Sequence, residues 1–145
     1  VDLFHMIVAK YKIPIVLSLH PRTKSKMDEY NLTFNNSLIK HIEPVGFFDF
    51  IHLEKNALCV LSDSGTVQEE CSIFGIPNIT IRDVTERPET IECGSNIISG
   101  KDNNNILKQI EIVTLLSKSW KTVPEYLEKE VSDKVVKILH SKIPS

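Results

Sequence analysis

Several chemical classes are excluded by what these 145 residues lack. Cysteine is scarce: Cys59, Cys71 and Cys93 are odd in number and widely spaced, which suits neither a disulfide framework nor a metal-ligand set. They read as reduced packing thiols, and so as a sign of the cytosol. No stretch reaches the roughly 18 consecutive apolar residues of a membrane span, and no basic-then-apolar leader opens the chain. Charge of one sign is missing too. A net charge of −2 and a pI near 6.2 argue against a nucleic-acid or anionic-membrane surface. The one basic cluster, Arg22-Thr23-Lys24-Ser25-Lys26, is short and reads as a solvated helix start. There is no internal repeat and no low-complexity tract, since Asn103-Asn104-Asn105 is too brief to be one.

What is present is an alternation of short apolar runs with helix-compatible segments. The runs Ile15 to Leu19, Leu38 to Ile42, Ala57 to Leu61, Asn78 to Ile81 and Asn96 to Ser99 predict strands. Between them lie predicted helices near Ser25 to Tyr30, Phe48 to Lys55, Thr66 to Phe74 and Glu89 to Cys93, with others up to Lys12 and from Asp102 to Ser117. Gly75-Ile76-Pro77 ends the segment Thr66 to Phe74, glycine suiting the C-terminal cap and proline being unable to continue. Apolar strands separated by helices imply an α/β fold, a Rossmann-like parallel sheet with helices on both faces. The first helical face begins at Val1, with Phe4, Ile7, Val8 and Tyr11. The expectation is a piece of a longer protein. The tail adds two amphipathic segments, Val123 to Lys129 and Val131 to His140.

One junction carries chemistry. The apolar run ending at Leu61 meets Asp63-Ser64-Gly65, and a helix follows at once. The first amides of a helix have no partners within it, so such a corner attracts phosphate-like anions. Gly65 permits close backbone approach, and the Ser64 hydroxyl can donate to an anionic oxygen. Pattern alone does not separate this from a plain N-cap, in which Ser or Asp serves orphan amides without any ligand. Thr66 and Glu69 have capping-box spacing, which accounts for Glu69 and leaves Glu70 to face the corner. Phe47 and Phe48 read as core.

The same junction resembles the non-hydrolysing UDP-N-acetylglucosamine 2-epimerases, whose C-terminal lobe carries an Asp-Ser-Gly-Gly-x-Gln-Glu-Glu block and an Arg-Asp-x-Thr-Glu-Arg-Pro-Glu block. Here they stand as Asp63-Ser64-Gly65-Thr66-Val67-Gln68-Glu69-Glu70 and Arg82-Asp83-Val84-Thr85-Glu86-Arg87-Pro88-Glu89, with Thr66 in place of the second glycine. His20-Pro21-Arg22 and Gly46-Phe47-Phe48-Asp49-Phe50 look more like the branch acting on 6-deoxy amino sugars of the N-acetyl-fucosamine pathway. The resemblance covers residues 1 to 118 and thins afterwards. It implies the C-terminal lobe of a two-lobed GT-B fold, with a UDP-binding unit at 1–118 and C-terminal helices at 119–145 that pack on an N-terminal lobe.

It also implies roles. Ser64 and Gly65 would hold the diphosphate, Glu70 the ribose hydroxyls, Phe50 the uracil face, and Arg87 the diphosphate or sugar hydroxyls. Arg22, Arg82 and Glu86 would support them, Glu86 by holding Arg87, and His20 is the one catalytic candidate. A surface pair of Arg87 with Glu86 or Asp83 is the plainer alternative for that arginine. The implied reaction is inversion at C2 of a UDP-sugar by loss and re-addition of UDP, with no cofactor, no metal and a homodimer as the common assembly. The main acid and base groups would lie in the other lobe. Two further readings stand beside it: the donor lobe of a UDP-sugar glycosyltransferase, and a non-catalytic remnant of a split epimerase. A serine hydrolase on Ser64 with Asp63 and His20 is a poor fit, because no nucleophile elbow surrounds the serine.

Overall fold

The computed structural model describes residues 1–19, 21–116 and 118–141. Five short strands alternate with helices. In chain order these are α1 (Asp2–Tyr11), β1 (Ile15–Ser18), α2 (Pro21–Glu29), β2 (Ile39–Ile42), α3 (Phe47–Lys55), β3 (Val60–Ser62), α4 (Gly65–Phe74), β4 (Asn78–Thr80), α5 (Pro88–Glu92), β5 (Asn96–Ile98) and α6 (Asn103–Leu115). A 3-10 turn at Pro124–Leu127 and α7 (Val131–His140) are the last elements among the described residues. Every ladder is parallel, as the apolar strands and intervening helices predict.

The single predicted sheet appears as two hydrogen-bonded groups. β1 pairs with β2, and β3, β4 and β5 form a second ladder in that order. Within the second group the register sets Leu61, Ile79 and Ile97 side by side, and Asn78 beside Asn96 one residue earlier. Alternation sends these rows to opposite faces. Ile79 joins Ile7 of α1 and Ile106 and Ile110 of α6, with Ile15, Leu61 and Ile97 at the edges. On the other face Val67 and Cys71 of α4 meet Ile76, with Phe50, Val60 and Phe74 around them. Burying each such side chain contributes about 1.5–3 kcal/mol, so helices on both faces hold β3–β5 firmly.

Cover is thinner on the other ladder. Val16 of β1 is 44% exposed, and Lys40 and His41 of β2 face solvent. Phe47 and Phe48 are also not core: they are 65% and 85% exposed and stack edge-to-face on each other. Helical spacing explains this, because the face of α3 that meets α4 carries Phe50 and, four residues on, Glu54. Gly75 does cap α4, with φ of 71° and its N–H bonded to the Cys71 carbonyl.

The tail divides. Trp120 Nε1 and the Thr122 hydroxyl both donate to the Ser72 carbonyl at 3.1 Å, and the Tyr126 hydroxyl donates to the Glu89 carboxylate at 2.5 Å. Residues 120–126 are therefore docked on α4 and α5. Beyond them α7 presents Val131, Val135, Ile138 and Leu139 to solvent.

Candidate functional site

Because β3, β4 and β5 run parallel, the loops after β3 and β4 emerge at one edge of the sheet, where open α/β sheets bind ligands. The β3 loop delivers Asp63 and Ser64, and α4 starts at Gly65 with Ser64 as its N-cap. The Ser64 side chain makes no capping bond. Its hydroxyl is thus not spent on the first-turn amides, which open at the helix mouth, where the partial positive charge of the macrodipole sits.

The β4 loop brings a cation to the same mouth. A Cβ placed on Gly65 would lie 3.5 Å from the guanidinium carbon of Arg87. That guanidinium is held by Glu69 through Nε and by the Glu86 carbonyl, which accepts from Nη1 at 3.1 Å. The bond to Glu69, foremost, keeps Arg87 charged. This corrects two sequence-based expectations. Glu69 does not close a capping box with Thr66, because a charge-assisted partner eighteen residues away takes its carboxylate. Nor does the Glu86 carboxylate hold Arg87; it lies 3.8 Å from Arg82, which also reaches Asp63 at 3.4 Å. Arg82, Glu86 and Asp63 form an exposed rim around a more enclosed Arg87–Glu69 pair.

A buried polar network supports this loop. Gln68 Oε1 accepts from the Thr85 hydroxyl at 2.6 Å and from Asn96 Nδ2 at 3.1 Å. The Thr85 oxygen accepts from the Arg87 amide at 3.0 Å, and the Thr90 hydroxyl donates to the Arg87 carbonyl at 2.7 Å. Asn96 Nδ2 also reaches Thr90, while its Oδ1 accepts from Asn78 and Thr80. Both backbone groups of Arg87 are thereby tied, through α4, to the side-chain row of β4 and β5. The sequence reading assigned no role to Gln68, Thr80, Thr85, Thr90, Asn78 or Asn96. The available signal was polar residues inside strands that burial requires to be apolar.

Glu70 lies on the flank of α4 turned toward α3, where it meets Glu54. Glu54 is only 3% exposed, and neither carboxylate oxygen has a hydrogen-bond donor. Burial, then the neighbouring Glu70, pushes the Glu54 carboxyl up to about 7. Burial also raises Glu70, an effect that the adjoining Glu54 carboxyl opposes. Phe50 is half-buried one turn before Glu54, its ring against the Val67–Cys71–Ile76 cluster. Arg22 is exposed in the first turn of α2, which follows β1 of the other ladder. His20 lies outside the described residues. The Cys71 thiol is buried and Cys59 half-buried, burial raising the latter to about 11. Among the described residues no cluster of three His, Cys, Asp or Glu could hold a metal ion, and no helix is long and apolar enough to cross a membrane.

The geometry can be set beside known proteins. The sequence profile of the family described as UDP-N-acetylglucosamine 2-epimerase matches residues 1–140. The UDP-N-acetylglucosamine 2-epimerase of Methanocaldococcus jannaschii is 43% identical over 136 residues, covering 92% of this chain and 37% of that protein. That of Methanococcus maripaludis is 46% identical over 114 residues, 77% of this chain and 31% of its own length. The crystal structure of the M. jannaschii enzyme in complex with UDP-GlcNAc and UDP superimposes with a TM-score of 0.87 at 42% identity, over 95% of this chain and 38% of that one. A UDP co-structure of the Staphylococcus aureus protein MnaA, at 24% identity and a TM-score of 0.79, shares the fold. The chain spans less than two fifths of the curated relatives it matches. With the Ser64–Gly65 corner, the Arg87 loop and this match from end to end of the described fold, the chain belongs to the UDP-N-acetylglucosamine 2-epimerase family.

Proposed function

We propose that this chain is the UDP-binding half of a UDP-sugar 2-epimerase. The observation that carries the reading is the convergence at one helix mouth of the Ser64 hydroxyl, which makes no capping bond, the first-turn amides and the Arg87 guanidinium, whose backbone is held by part-buried hydrogen bonds. Such a site suits a diphosphate, since two phosphates can span the helix dipole and the cation. Glu70, on the same helix, takes the ribose hydroxyls, and Phe50 offers its ring to the uracil. Arg82 and Glu86 line the rim, with Arg22 and His20 reserved for the sugar end.

In the proposed reaction a base removes the C2 proton while the C1–O bond breaks, and UDP leaves with the electron pair. UDP then returns to C1 as a proton is delivered to the opposite face of C2. The helix mouth and Arg87 stabilise the leaving diphosphate, the step in which its charge grows. The proton-transfer groups belong to an N-terminal lobe. Residues 1–118 form the nucleotide unit, and the exposed apolar face of α7 packs on that lobe. The complete enzyme works in the cytoplasm, as a homodimer, on UDP-N-acetylglucosamine or a 6-deoxy relative.

The test is reconstitution with a family N-terminal lobe, followed by proton NMR of C2 in UDP-N-acetylglucosamine and a 6-deoxy analogue. Inversion by the pair, with neither piece active alone, supports the reading. Glycosyl transfer to an acceptor in place of inversion would assign the chain to a glycosyltransferase instead.

A further inference from the structure

We propose that Glu54 is a positioning residue for the nucleotide: as the neutral acid it donates a hydrogen bond to the Glu70 carboxylate and aims that carboxylate at the ligand's ribose. The inference rests on the proposed UDP site and adds to it a residue outside both sequence blocks.

Three observations carry it. Glu54 is almost fully buried on the face of α3 that meets α4, yet both of its oxygens lack a donor. A buried carboxylate in that condition is costly, whereas a protonated one becomes a donor that needs a single acceptor. The acceptor present is Glu70, half-buried and nearer to solvent. Two carboxyls in contact cannot both ionise cheaply, so the pair holds one proton, and it belongs on the deeper member. The other titratable groups beside the pair are Glu69, next to Glu70, and the Cys71 thiol, which both carboxyls face. None of these supplies a positive charge that would let Glu54 ionise. Glu70 then stays anionic, as acceptance of two ribose hydroxyls requires, and its orientation is fixed by the bond from Glu54.

Ionisation of Glu54 should therefore weaken nucleotide binding. The direction follows from its raised carboxyl: binding is favoured below about pH 7 and weakens as pH rises through that value. The experiment is calorimetric titration of UDP into the chain and into its Glu54→Gln variant, from about pH 6 to about pH 8.5. The glutamine amide donates at every pH, and the ionisation of UDP is common to both titrations. The expected result is a ratio of affinities, variant over wild type, that grows roughly tenfold across the range. Superimposable pH profiles overturn the inference and leave the UDP site standing. Failure of UDP to bind either protein at any pH overturns both. A carbon-13 titration of the Glu54 carboxyl in the unliganded chain needs no variant: a midpoint near 7 supports the inference, and an ordinary glutamate midpoint overturns it.

Discussion

The two ladders of this chain have the same parallel pairing and comparable strand lengths, yet they are built for different tasks. β4 is buried along its whole length, its apolar residue against α1 and α6 and its polar residues in a network with α4. In β1 half-buried and exposed positions alternate, and in β2 the two middle residues, Lys40 and His41, are both exposed, so this ladder is less completely covered. The difference shows where rigidity is invested. The ladder that presents Arg87 is clamped from both faces, and the ladder that presents Arg22 is clamped less.

The comparison can be tested first by truncation. Ile79→Ala should destabilise the chain by about 2–5 kcal/mol, whereas Val16→Ala should cost under about 1 kcal/mol. Urea unfolding of the two variants checks this, and equal losses would remove the distinction between the ladders. A sharper probe is Gln68→Leu, which keeps the bulk but orphans the Thr85 hydroxyl and the Asn96 amide. Its expected cost is about 3 kcal/mol. UDP affinity should fall with it, because the Arg87 backbone loses its tie through Thr85.

A smaller effect follows from Glu54. Its carboxyl is raised in the folded state, so the folded chain binds the proton more tightly than the unfolded chain does. Any stability it contributes is present at acid pH and is lost as pH rises from the ordinary glutamate value, 4.5, to about 7. The loss should be on the order of 2 kcal/mol, and Glu54→Gln should flatten that part of the stability profile. Thermal unfolding across this range is the measurement. An unchanged profile in the variant would assign the pH dependence elsewhere.

Legibility in the sequence followed the same division. All five strands were readable from apolar runs, and α7 was placed at its observed bounds, because local periodicity suffices for these. Ser64, Gly65 and Arg87 were readable as blocks of motif. Their arrangement was not. Glu69 looked like a capping residue from its spacing to Thr66, and only tertiary structure brings Arg87 across to it. Phe47 and Phe48 read as core and Phe50 as the aromatic facing the base, but helix geometry packs Phe50 against the cluster and leaves the other two exposed. Glu54 carried no signal at all, since a charged residue on an amphipathic helix reads as solvated until the neighbouring helix is in place. Asn78, Thr80 and Asn96 were absorbed into strands as minor exceptions, although their polarity is what fastens the Arg87 loop.

The claim that matters most is that the helix mouth of α4 and Arg87 together form a diphosphate anchor. Calorimetry of UDP and UMP with the chain and with Arg87→Ala and Arg87→Lys tests it directly. The account predicts that UDP binds more tightly than UMP and that Arg87→Ala removes about 1.5–3 kcal/mol of the UDP affinity. Lysine, which keeps the charge but not the fork of donors, should restore only part of that loss. Equal affinities for UDP and UMP, or UDP affinity unchanged by Arg87→Ala, would contradict it and reduce Arg87 to a structural partner of Glu69.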